Sequence, residues 1–168
     1  MIRASHIVVV AALAVASAWA QPIPSSTTQA FVRAAAQSDD FERQEGHLAA
    51  TQGSTAHVRA FGRMMVTDHT RTTQALKAAL RRAKLPIPPP PPLSPNEASK
   101  LAALRGLHGK QFDAAYIDQQ IDAHQGALQV LQAYAAGGDN PVLRKAAGDT
   151  VPLVQRHLAA AQQIRGGG

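Results

Sequence analysis

Five side chains have the types and spacing of a metal site. Glu42 with Glu45, His69, His124 and His157 interrupt the apolar stripes of four stretches with helical periodicity. Four helices that turn these groups toward one core would offer mixed nitrogen and oxygen donors. Such a set suits zinc, iron, copper or manganese. Each imidazole would then need an acceptor on its other nitrogen, and Asp68, Tyr116 and Asp122 stand near enough to serve. A metal-free arrangement uses the same residues. There the core histidines hydrogen-bond to Glu42, Glu45 and Tyr116, because a buried polar group without a partner is costly. Both arrangements stay open at this point.

The remaining candidates are weaker. His47 and His57 fall off the apolar stripes, and His108 lies between glycines, so all three are expected in solvent. Met64 and Met65 read as core. The sequence contains no nucleophilic triad, phosphate-binding loop or dinucleotide fingerprint, so it defines no catalytic machinery.

The elements that must position these groups are helices. Alanine is abundant and β-branched residues are sparse beyond the first twenty positions, which favours helix throughout. The spacing predicts a first helix over about 29–52 and a second over about 55–84, with Gly53 as the stop and Ser54 as a cap. Residues 86–95 hold seven of the eleven prolines and must be extended as polyproline II. At ~3.1 Å per residue, ten such residues reach roughly 30 Å, about the length of a twenty-residue helix. A stiff spacer of that reach suits a crossover from one end of a bundle to the other. A ferritin-like four-helix bundle needs one such connection, whereas a simple up-down-up-down bundle needs none.

Ser94, Pro95 and Glu97 form a capping box that opens a short helix to about residue 105. A third long helix is expected over about 111–136 and a fourth from Asn140 and Pro141 to about 164, with Pro152 as a kink. With the ends of the helices set flush, Glu45 and His157 fall nearest one end, and His69 lies on the order of 10 Å further along the axis. That spread argues against one tight site holding all five groups. It leaves a subset, a two-metal site or a stacked polar network.

The first twenty residues read as a secretory signal peptide. Arg3 is followed by an apolar run over 7–16 and by the small-x-small sequence Ala18-Trp19-Ala20, so cleavage is expected before Gln21. Residues 21–168 would then form a single helical domain with its core over about 29–165, placed in the periplasm or on the envelope. No other segment is apolar enough to span a bilayer. With no cysteine, the chain carries neither a disulfide nor a lipid-modified cysteine. The formal charge of +6 is spread along the helices without interleaved aromatics. This pattern excludes base stacking on nucleic acid and leaves weak attraction to anionic envelope surfaces. The oligomeric state is open.

Several short pieces together resemble a known family. They are Phe31-Val32 with Ala35, Glu42, Leu48-Ala49, Phe61 with Met64-Met65-Val66 and Asp68-His69, Phe112-Asp113 with Tyr116, His124, and Pro152 with His157-Leu158. The chain resembles the bacterial domain of unknown function 4142 family over about 31–164. That resemblance implies a ferritin-like four-helix bundle, exported or at the outer membrane, and no activity. The residues three before His69, His124 and His157 are Val66, Ile121 and Val154. The Glu-x-x-His pairs of ferritin-type di-iron centres are therefore missing. Three readings remain: an exported binding or stress-protective protein without catalysis, a metal-binding protein (oxidoreductase or storage) using the core histidines and glutamates, and a cell-surface interaction module.

Overall fold

The structure, a computed structural model, describes residues 26–167. The expected signal segment and its cleavage point lie outside the described residues. Five helices follow one another: α1 (Ser26–Gln52), α2 (Ala56–Arg82), α3 (Pro95–Arg105), α4 (Gly109–Gly137) and α5 (Pro141–Gly166). Among the described residues no strand occurs. No described helix is long and apolar enough to cross a membrane.

Cross-helix bonds give the topology. Thr28 meets Tyr134, Glu45 meets Gln120, and Ser54 meets Asp113, so α1 and α4 run antiparallel. Asp39 meets His69 across the α1–α2 hairpin. Asp68 of α2 meets His157 of α5, and Asp118 of α4 meets Arg165 of α5. Hence α2 and α4 run parallel, each antiparallel to its hairpin partner. This is the ferritin-like arrangement, two hairpins joined by one long crossover.

The crossover departs in detail from a proline spacer of full length. Leu85 N–H donates to the Leu80 carbonyl and closes the end of α2, with Lys84 in the left-handed region. The proline segment then descends to mid-bundle, where the Pro92 carbonyl accepts from the Gln37 amide. The capping box of Ser94 and Glu97 forms as expected and starts α3, which packs on α1 and α4 and completes the descent. Ser54 does not cap α2. Thr55 does, while Ser54 donates to Asp113 on α4 and ties the two hairpins together.

The interior is layered. Toward one end Phe31, Leu80, Tyr134, Leu143 and Val154 form an apolar cluster. Toward the other, Val58, Phe61, Met65, Leu104, Phe112 and Tyr116 form a second. Between them every long helix contributes buried polar side chains: Asp39, Glu42 and Glu45 from α1, His69 from α2, Gln120 and His124 from α4, and His157 from α5.

Two glycines set the distance between α1 and α2 beside this layer. A Cβ at Gly62 would lie 2.7 Å from the Gly46 carbonyl oxygen and 2.7 Å from the Ala50 nitrogen. Both contacts are to backbone, so neither side can yield without moving a helix. Gly62→Val should therefore destabilise the fold. Overpacking costs about 1–3 kcal/mol, against less than ~1 kcal/mol gained by removing a helical glycine. Urea unfolding should show a net loss of roughly 2 kcal/mol, and a variant as stable as the parent would contradict this close approach.

Candidate metal centre

The three stripe histidines converge. One ring nitrogen from each of His69, His124 and His157 lies within 4.8 Å of the other two. Their ring centroids form a nearly equilateral triangle with sides of 5.3, 5.4 and 5.7 Å. All three residues are buried.

Each ring is oriented by an acceptor on one nitrogen. His69 Nδ1 donates to Asp39 Oδ1 at 2.9 Å, His124 Nδ1 to the Gln120 carbonyl at 2.7 Å, and His157 Nε2 to Asp68 Oδ2 at 3.0 Å. Carboxylates and carbonyls accept only, so these bonds place the protons on those nitrogens. The opposite nitrogens, His69 Nε2, His124 Nε2 and His157 Nδ1, are buried without a hydrogen-bond partner. Three N–H groups held by acceptors and three buried lone pairs left free are what the histidine half of a metal site requires. Asp39 is itself held firmly, since Thr72 donates to its Oδ1 and Thr73 to its Oδ2.

The glutamates stand to one side. Glu42 Oε1 lies 3.6 Å from His124 Nδ1, the nitrogen already engaged with Gln120. Neither Glu42 oxygen has a hydrogen-bond partner. Glu45, one turn further along α1, accepts from Gln120 Nε2 at 2.9 Å and takes no part in the histidine triangle. Of the expected orienting residues, Asp68 does that work. Tyr116 is buried with its hydroxyl unpartnered, and no hydrogen bond joins it to a histidine. Asp122 faces solvent beside Lys100. His47, His57 and His108 are exposed, and Met65 is core.

Electrostatics separate the groups. Burial pushes the Glu42 carboxyl from 4.5 up to about 7, against the pull of His69. Burial and the neighbouring Glu42 charge push Glu45 from 4.5 up to about 8. Burial lowers His124 from 6.5 to about 4, helped by His69. Burial also lowers His157 to about 4, despite its bond to Asp68. For His69, burial is outweighed by the Asp39 hydrogen bond and the charges of Glu42, Asp39 and Asp68, and the net shift is upward. At mildly acidic pH the layer therefore combines neutral glutamic acids with neutral imidazoles at His124 and His157, the ligand form of histidine.

Two features were hidden from the sequence reading. The flush-end count set His157 well below His69. The Arg165–Asp118 pair shows instead that α5 ends well inside α4, which lifts His157 to the level of His124. Asp39 was missed as well. Reflecting α1 onto α2 about the Gly53 turn would have placed it opposite His69.

The fold and layer define a class: a ferritin-like four-helix bundle with three converging core histidines in place of paired Glu-x-x-His motifs. The family model for the domain of unknown function DUF4142 matches residues 13–164, and the chain belongs to that family. A solved structure described as a DUF305 fragment from Deinococcus radiodurans is similar in fold. It has 18% sequence identity and a TM-score of 0.73, covering 86% of this chain and 99% of that one. No curated protein sequence matches the chain.

Proposed function

We propose that the protein is an exported envelope protein that binds one divalent transition-metal ion through His69, His124 and His157. Two observations carry this reading together: one ring nitrogen of each histidine lies within 4.8 Å of the other two, and each ring has one buried nitrogen without a hydrogen-bond partner. A metal-free network explains them poorly. Each of the three is an acceptor, and a proton on His69 could serve one neighbour, whereas a cation serves all three. Three imidazoles suit zinc or copper over magnesium or calcium, which prefer oxygen donors. Three protein ligands also leave a coordination position for water or another molecule. Glu42, whose oxygens lack partners, supplies a nearby carboxylate to balance the ion's charge. Export is supported by the Arg3, apolar and Ala-Trp-Ala order at the N-terminus.

The test is metal content. Untagged protein purified from the envelope fraction should carry close to one equivalent of zinc or copper by plasma mass spectrometry, and chelated protein should take up one equivalent on titration. Protein that arrives without metal and takes up none of zinc, copper, iron or manganese would overturn the proposal.

A further inference from the structure

A cavity of about 610 Å³ lies between the two hairpins, lined by all four long helices and the start of α3. That volume falls within the range of small-molecule sites, roughly 300–1,000 Å³. Its walls are mainly apolar and built from small residues such as Ala35, Ala75, Ala127 and Ala147. Gly126 of the lining is exposed, and a Cβ there would meet nothing within 4 Å. Val130, on the same wall, is one of two large hydrophobic side chains exposed among the described residues.

The shape is elongated. On α2 the lining runs from His69 to Arg82, a rise of about 20 Å at ~1.5 Å per residue. The inner end is polar, with His69 and Asp39, and the outer end reaches exposed Arg82. The four lining carboxylates are engaged, Asp39 by His69, Thr72 and Thr73, Glu97 by Ser94, Asp122 by Lys100 and Asp149 by Lys145, and of the cations Arg71 pairs with Asp68. Among the described residues Arg82 has no carboxylate partner.

We infer that this cavity is a binding site for a single-chain aliphatic anion. The chain lies between the hairpins, and its head group meets Arg82 at the rim. The walls match an alkyl chain, whose burial is favourable in proportion to the apolar area it removes from water. An aromatic or branched ligand would leave the length of the slot unfilled. The guanidinium at the mouth selects an anionic over a cationic head. The slot ends against His69 and Asp39, beside the proposed metal site, while its apolar walls and Arg82 are in place whether or not an ion is bound.

The test uses the full mature chain, with and without zinc. A dansyl-labelled undecanoate should bind saturably at one equivalent and be displaced by dodecanoate. Dodecyltrimethylammonium should displace it at least tenfold less well. Gly126→Phe fills open space, replaces a helical glycine and should fold normally. It should abolish probe binding while zinc uptake stays unchanged. Arg82→Glu should weaken dodecanoate about tenfold. Absence of saturable binding, binding that survives Gly126→Phe, or equal competition by the cationic and anionic chains would each overturn the inference. Loss of zinc uptake with probe binding intact would count against the metal proposal alone.

Discussion

Replacing any one of His69, His124 or His157 by alanine should remove most of the stabilisation conferred by zinc. A ligand that binds only the folded state adds about 2.7 kcal/mol at a hundred times its dissociation constant and about 4.1 at a thousand times. For a domain of this size, 3–4 kcal/mol corresponds to roughly 10 °C in melting temperature. The parent should therefore melt about 10 °C higher with zinc than with chelator, and each single variant should show little difference. The metal-free variants should lose far less. Truncation leaves a gap, but it also removes a lone pair that has no donor in the metal-free protein. Scanning calorimetry of the parent and three variants, with zinc and with chelator, separates these terms. A parent whose melting ignores both additions would sink the metal reading, and so would a His124→Ala protein that keeps the full zinc response.

The metal-free protein should lose stability as pH rises from 6 to 8.5. Glu42 and Glu45 have folded values of about 7 and about 8, above the ordinary 4.5. Their contribution is complete below 4.5 and is lost as pH climbs through the folded values. His69, also raised, has the same sign and is lost above its ordinary 6.5. His124 and His157, lowered to about 4 from 6.5, have the opposite sign. Their contribution is complete above 6.5 and is lost as pH falls through 4. Between 4.5 and 6.5 the unfolded chain holds protons on these two imidazoles, and the folded one holds them on the two glutamic acids. The slopes therefore cancel and stability is flat. Above 6.5 only the folded state still holds protons, and stability falls by up to a few kcal/mol. Zinc should reverse the trend, because it competes with protons for imidazole. Chelator-treated protein melted from pH 5 to pH 8.5 should show the plateau and decline, and Glu45→Gln should shrink the decline. A metal-free melting temperature that rises steadily to pH 8.5 would contradict the neutral glutamic acids.

The bundle was legible because its signals are local. Gly53, the capping box at Ser94–Glu97 and the cap at Asn140 mark element ends by their own backbone chemistry, and the apolar spacing marks the inward faces. The five inward polar residues could be picked out for the same reason. How they divide was not legible, because it depends on the offset between hairpins. That offset is set by pairs distant in sequence, such as Ser54 with Asp113 and Arg165 with Asp118. Hence three histidines meet, Glu45 turns to Gln120, and Asp122 faces water. Asp39 was invisible because an aspartate on the flank of a stripe looks like surface until the facing helix supplies Thr72 and Thr73.

His69 belongs to the first hairpin, whereas His124 and His157 belong to the second, and the only covalent path between the halves is the strap with α3. An ion held by all three would act as a clasp across that strap in a chain that has no cysteine. Fastening positions 69 and 124 closes a loop comparable to that of a long-range disulfide, a constraint on the unfolded chain on the order of 4 kcal/mol. Unlike a disulfide, the clasp opens with acid or a chelator and needs no oxidant. The two halves of the molecule would then be free to part along the face that carries the apolar slot.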